Sequence, residues 1–159
     1  MNRRNAPVPQ PSPDPELGRL LEAFLSRVSH PRGRALTFMA KASVTVPQAI
    51  LLKFALATPN STPSSLAAIM NISLPSVSQM IERLVKLGLS QRIEDAEDRR
   101  RKTIKVTVKG RTFLARLKEV RSAEFTAGTE GLSPATQRRL FDALSQALKE
   151  LAPLPGADI

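Results

Sequence analysis

Residues 62–88, TPSSLAAIMNISLPSVSQMIERLVKLG, decide the fold of this 159-residue chain. Thr62 is a good helix N-cap, and Pro63 suits the first helical position, where a missing N–H costs nothing, so a short helix is expected over 63–70. Asn71-Ile72 then makes a turn, and Asn tolerates the positive φ such a turn often needs. Ser73 caps a second helix over 74–87, which Gly88 can end in the left-handed conformation. Small Ala67 stands where the helices cross, the turn follows four residues later, and apolar Val77 locks the second helix on the first, which is the spacing of a helix-turn-helix. Leu66, Ile69, Ile72, Val77, Ile81 and Leu84 form the expected core of the motif, leaving Ser76, Ser78, Gln79, Glu82, Arg83 and Lys86 outside. Such a face suits a helix end in the major groove of duplex DNA: Gln pairs with adenine, Arg with guanine or phosphate, and Pro75 can touch a thymine methyl. An ordinary helical hairpin with a solvated polar face fits these residues equally well.

The next segment breaks that tie. Residues 90–93 and 102–106 read as two short strands around a charged loop over 94–101. From Arg99 to Lys118 the chain carries nine basic residues and no acid, directly after Glu94, Asp95, Glu97 and Asp98. A solvated face would mix its charges more evenly. A hairpin tip with Arg99, Arg100 and Arg101, followed by Lys102, suits the strong negative potential of a narrow minor groove. Asp98 is either a turn residue or the carboxylate that orients a neighbouring guanidinium, and the two roles are compatible.

Composition narrows the classes further. Lysine and arginine number 24 against 14 acids, a formal charge of +10 that favours polyanionic partners. The chain has no cysteine and a single histidine, His30, which excludes disulfides, thiol chemistry, Cys-ligated zinc and His-cluster metal sites; no cofactor is expected. Asp95 and Asp98 lie in a cationic loop without a nucleophile or histidine to partner them, so the sequence does not read as an enzyme. Six phenylalanines and no tryptophan or tyrosine give little surface for stacking single-stranded bases, which again favours a duplex. No run approaches the ~18 apolar residues of a membrane span, and no secretion signal opens the chain, so a cytoplasmic location is expected.

Helical periodicity continues on both sides of the motif. Leu17, Leu20, Leu21, Phe24, Leu25 and Val28 share one helix face, and a further helical segment covers roughly 33–42. Thr45 and Pro47 open a helix that is apolar on most sides and is expected to be buried. After Thr107, residues Phe113, Leu114, Leu117, Val120 and Phe125 line one helix; after Ser133-Pro134, residues Leu140, Phe141, Leu144, Leu148 and Leu151 line another. Five prolines between Pro7 and Pro15, behind Arg3 and Arg4, make an extended arm, either without a role or tracking DNA.

The run 62–73, with Val77-Ser78, Arg83-Leu84, Gly88-Leu89, Arg92, Asp98-Arg99-Arg100, Val106-Thr107 and Gly110, resembles the MarR (multiple-antibiotic-resistance regulator) family of bacterial winged-helix repressors. The resemblance covers roughly residues 16–152 by order of elements and is most specific over 62–110. It implies that Ser76, Ser78, Gln79 and Arg83 lie on a recognition helix, that Arg99 and Arg100 are wing contacts, and that Asp98 orients them. The sequence departs from the family's habit at Gln79, often Arg, and at Ser65, often Glu, where a capping-box partner is lost.

The expected architecture is therefore mainly α: a winged helix-turn-helix with a small β-hairpin wing and a helical dimerisation region from both termini. Its parts are a Pro-rich disordered arm over 1–15, dimerisation helices over 16–44, a DNA-binding lobe over 45–108, further dimerisation helices over 109–152, and a tail over 153–159. The DNA-contact set is Thr62, Ser73, Pro75, Ser76, Ser78, Gln79, Arg83, Arg99, Arg100, Arg101 and Lys102, with Asp98 orienting the wing. One lobe cannot cover the apolar faces of the end helices, so a symmetric second copy is expected. The resemblance also implies a small effector, often aromatic or anionic, in the cleft between lobe and dimer helices; Arg32, Arg34 and Lys41 could meet an anion there, although solvated or phosphate-contacting roles suit them better. Three functions remain: a sequence-specific regulator binding double-stranded DNA as a homodimer, an architectural protein that coats or bends duplex without preference, or a winged helix used for protein contact only.

Overall fold

The computed structural model describes residues 14–29, 33–94 and 102–151. Among them run seven α-helices and one two-stranded antiparallel sheet: α1 Pro15–Val28, α2 Arg34–Lys41, α3 Val46–Ala57, α4 Pro63–Met70, α5 Leu74–Lys86, β1 Ser90–Glu94, β2 Lys102–Val106, α6 Val108–Gly128 and α7 Pro134–Glu150. The architecture is the expected one, mainly α with a β-hairpin wing. His30, Arg32, Asp98, Arg99, Arg100 and Arg101 lie outside the described residues.

Side-chain caps set where the helices begin. Thr45, Thr62, Ser73, Thr107 and Ser133 each accept a hydrogen bond from the backbone N–H three residues on, which satisfies a donor the helix itself cannot. Asp14 does the same for α1, accepting from the Glu16 N–H at 2.9 Å. Pro15 is consequently the first residue of a helix, one residue inside the arm expected over 1–15. At the other ends, Asn71 closes α4 with φ 53° and Gly88 follows α5 with φ 72°, the left-handed positions anticipated for both.

The core sits where α3, α4, α5, β2 and the first half of α6 meet. Leu51, Leu52, Leu66, Val77, Ile81 and Leu84 are fully buried there, each removing apolar surface worth roughly 1.5–3 kcal/mol. Val77, Ile81 and Leu84 repeat at four and three residues, so α5 turns one stripe inward and leaves the opposite side free. Ile104 and Val106 of β2 close the core from the wing side, and the Ile104 N–H donates to the Ser61 carbonyl at 2.8 Å, fastening the wing to the loop before α4.

Burial differs from expectation at the rim. Ile69 and Ile72 remain 42% and 38% exposed, because α4 is only two turns long and turns Leu66 and Ala67, not its last residues, into the core. Helix α3 buries Ala49, Leu51, Leu52 and Ala55 but leaves Val46 and Ile50 exposed, so it is covered on one side only. Ser78, expected outside, is half-buried beside Val77.

Helix α6 joins the lobe to the chain termini. Its first half packs Phe113, Leu114 and Leu117 into the core, with Phe38 of α2 stacked on Phe113 at 5.3 Å between ring centroids. Farther along, Gly128 lets α1 cross closely, since a Cβ there would stand 2.7 Å from Val28 Cα. Glu124 of α6 reaches the start of α2 and accepts from the Ala35 N–H at 3.3 Å, capping α2 in place of Gly33, which has no side chain of its own. Helix α7 buries none of its residues, and Leu17, Leu20, Leu21 and Leu25 of α1 are exposed.

Candidate nucleic-acid interface

The motif is held by a complete capping box. Thr62 Oγ1 accepts from the Ser65 N–H at 3.2 Å, and Ser65 Oγ accepts from the Thr62 N–H at 2.9 Å. Ser65 therefore fills the role its difference from the family's Glu was expected to lose, because its short hydroxyl reaches the same backbone N–H. Thr62 is half-buried in this arrangement.

On α5, Pro75, Ser76, Gln79, Glu82, Arg83 and Lys86 are exposed on the side away from the buried stripe. Gln79 and Arg83, four residues apart, lie on one face, and neither side chain is hydrogen-bonded to a partner among the described residues, so both are available to a ligand. Ser73 and Ser76 are engaged with each other: Ser73 Oγ accepts from the Ser76 N–H at 3.3 Å, and the two hydroxyls are hydrogen-bonded at 2.8 Å. Glu82 faces Arg92 of β1 at 3.7 Å, an exposed ion pair worth about 0–1 kcal/mol that links the helix to the root of the wing.

The wing's register pairs Ser90 with Val106 and Glu94 with Lys102, so exposed Lys102 stands at the outer end of the described hairpin. The basic run that follows does not form one patch. Lys109 Nζ donates to the Leu87 carbonyl at 2.8 Å, Arg111 to the Val106 carbonyl at 2.9 Å, and Arg116 pairs with Glu119 at 3.1 Å. Lys109 thus closes the C-terminal end of α5, where a cation meets unpaired carbonyls and the negative end of the helix dipole. The Thr107-x-x-Gly110 pattern works at the same junction. Thr107 Oγ1 donates to the Gly88 carbonyl at 2.7 Å while accepting from the Gly110 N–H at 3.0 Å, and Gly110 rests directly on the Leu89 carbonyl.

Between α3 and α6 lies a half-open cavity of about 360 Å³ that sequence reasoning did not single out. Leu114, Leu117 and Phe125 give it apolar walls, and Lys53, Lys118 and Arg121 give it charge, with no carboxylate among its described lining residues. Burial, and then the charges of Arg121 and Lys118, hold the Lys53 ammonium below its ordinary value of 10.5. Arg121 also lies over the Phe125 ring, 5.7 Å from its centroid. Arg34 and Lys41, for which an anion contact is the lesser of the two readings, line two other clefts. The only available signal for this cavity was one lysine in the apolar run of α3, and α6 supplies the other two cations from far along the chain.

Two helices at a tight turn, a hairpin wing behind them and long helices from both ends define a winged helix-turn-helix protein. Residues 42–101 match the sequence model of the MarR family. Solved structures share the fold, among them the following three. A cysteine-to-serine variant of MarR from E. coli is 20% identical, with a TM-score of 0.64 over 91% of this chain and 99% of that one. The MepR–DNA complex of S. aureus is 20% identical, with a TM-score of 0.61 over 87% of this chain and 100% of that one. A MarR family protein from Bacillus stearothermophilus is 20% identical, with a TM-score of 0.64 over 86% of this chain and 93% of that one. No curated protein matches the chain in sequence.

Proposed function

We propose that this chain is a sequence-specific transcriptional regulator of double-stranded DNA, a repressor that acts as a homodimer on a palindromic operator. The observation that carries the reading is the two-sided construction of α5: Val77, Ile81 and Leu84 are fully buried, while Gln79, Arg83 and Lys86 on the opposite side are exposed and unsatisfied by the described residues. Paired donors and acceptors on a groove-sized helix suit base edges, and the cations beside them suit phosphates. The fold shared with DNA-bound MepR supports the same reading.

The uncovered end helices support the homodimer. Leu20 of α1 is 61% exposed, and Phe141 and Leu148 of α7 are 62% and 71% exposed, in stripes at helical spacing. A second copy covers such stripes isologously. Two recognition helices related by a two-fold then require half-sites about 34 Å apart. The cavity of Lys53, Lys118 and Arg121 supports control by a small aromatic anion, which would lower the repulsion among the three cations and bias the lobe's position against α6.

Binding at fixed salt tests the function. A selected palindromic duplex should bind at least ~10³-fold more tightly than random duplex, and Gln79→Ala should change the preferred base at one position of each half-site. Equal affinity for all duplexes would make the chain an architectural DNA binder instead.

A further inference from the structure

The first turn of α5 carries more apolar surface than its core needs. The core stripe begins at Val77, yet Ile72 in the turn and Leu74 at the helix start are 38% and 45% exposed, and Pro75 beside them is exposed and has no N–H to offer. The polar groups of the same turn are turned on one another: Ser73 Oγ takes the Ser76 N–H and is hydrogen-bonded to Ser76 Oγ. The donors and acceptors available for base edges, Gln79 and Arg83, come one and two turns later. The leading end of the helix is thus a hydrocarbon tip, and its hydrogen-bonding face lies behind it.

In the major groove one base edge has an apolar group, the C5 methyl of thymine. We propose that Leu74 and Pro75 read thymine methyl groups, so that each half-site carries thymine where it faces the first turn of α5, while Ser73 and Ser76 shape the tip and do not read bases. This rests on the DNA-binding function proposed above and adds the base class that the tip selects.

Deoxyuridine keeps every hydrogen-bonding group of thymine and removes only the methyl, so the test is a scan of the selected operator with single thymine-to-deoxyuridine replacements, using the full chain at fixed salt. One or two positions per half-site should weaken binding by about fourfold each, the ratio expected for burying one methyl group. In the double variant Leu74→Ala with Pro75→Ala, checked for retained helix by circular dichroism, that penalty should disappear while the Gln79-dependent preference stays. Binding that is indifferent to deoxyuridine at every position overturns the inference and leaves the regulator intact. A penalty that persists in the double variant also overturns it, since other side chains would then touch the methyl. A chain that binds no duplex overturns both readings.

Discussion

Replacing Gly110 by alanine probes the joint on which the wing and the recognition helix are mounted. Gly110 lies in the first turn of α6, and a Cβ there would penetrate the Leu89 carbonyl oxygen and stand 2.7 Å from Val106 Cγ1. Neither neighbour yields easily. The Leu89 carbonyl is fixed by the Thr107 N–H at 3.1 Å, and Val106 is buried at the end of β2. Two terms oppose each other. Alanine is the better helix former, which favours the variant by about 0.5–1 kcal/mol. Overpacking a well-filled site typically costs about 1–3 kcal/mol, and a backbone obstacle belongs at the upper end. The net expectation is a loss of roughly 2 kcal/mol, or about 4–8 °C in Tm for a chain of this size. Thermal unfolding followed by circular dichroism measures it, and operator affinity at fixed salt should fall as well, because α6 and the wing root must separate. A Tm that is unchanged or higher would mean that the helix-propensity term wins, refuting the claim that this contact fixes the junction.

Three further outcomes follow from the same structure. Ser65→Ala removes the acceptor for the Thr62 N–H and should cost about 1 kcal/mol, whereas Ser65→Glu should restore the capping box and the parent Tm. For Lys53→Met the sign is positive: the folded state holds the Lys53 pKa below 10.5, so the charge is a penalty below the folded value. The variant should melt higher at neutral pH, and its advantage should shrink as pH rises towards 10.5; a lower Tm at neutral pH would remove the charge repulsion from the account. Leu144→Glu with Leu148→Glu places two carboxylates in the exposed stripe of α7 and should convert a particle of twice the 17.4 kDa chain mass into a single chain on ultracentrifugation, with helix content kept.

Much of the lobe was legible because local chemistry and global packing agree there. Thr62, Asn71, Ser73 and Gly88 each announce a helix end by a cap or a left-handed position, and the structure has those ends within a residue. Burial was legible for Leu66, Val77, Ile81 and Leu84 but not for Ile69 and Ile72, since periodicity tells which residues share a face and not how far a two-turn helix extends over its neighbours. The capping box was misjudged for a related reason: serine is a weaker signature than Glu, yet at 2.9 Å its hydroxyl serves as well.

The sequence by itself determined the order of elements, the helix ends, the inward stripe of α5 and the positive charge, because all of these follow from neighbours within a few residues or from composition alone. Only the tertiary structure decided which groups these charges meet. Lys109 and Arg111 belong to one basic run, yet each is tied to a backbone carbonyl near the wing root, and Lys53 is brought beside Lys118 and Arg121 across more than sixty positions of chain to line a cavity. A side chain's charge is written in the sequence, but its partner depends on how α3, α6 and the wing root pack, and that is settled by long-range burial.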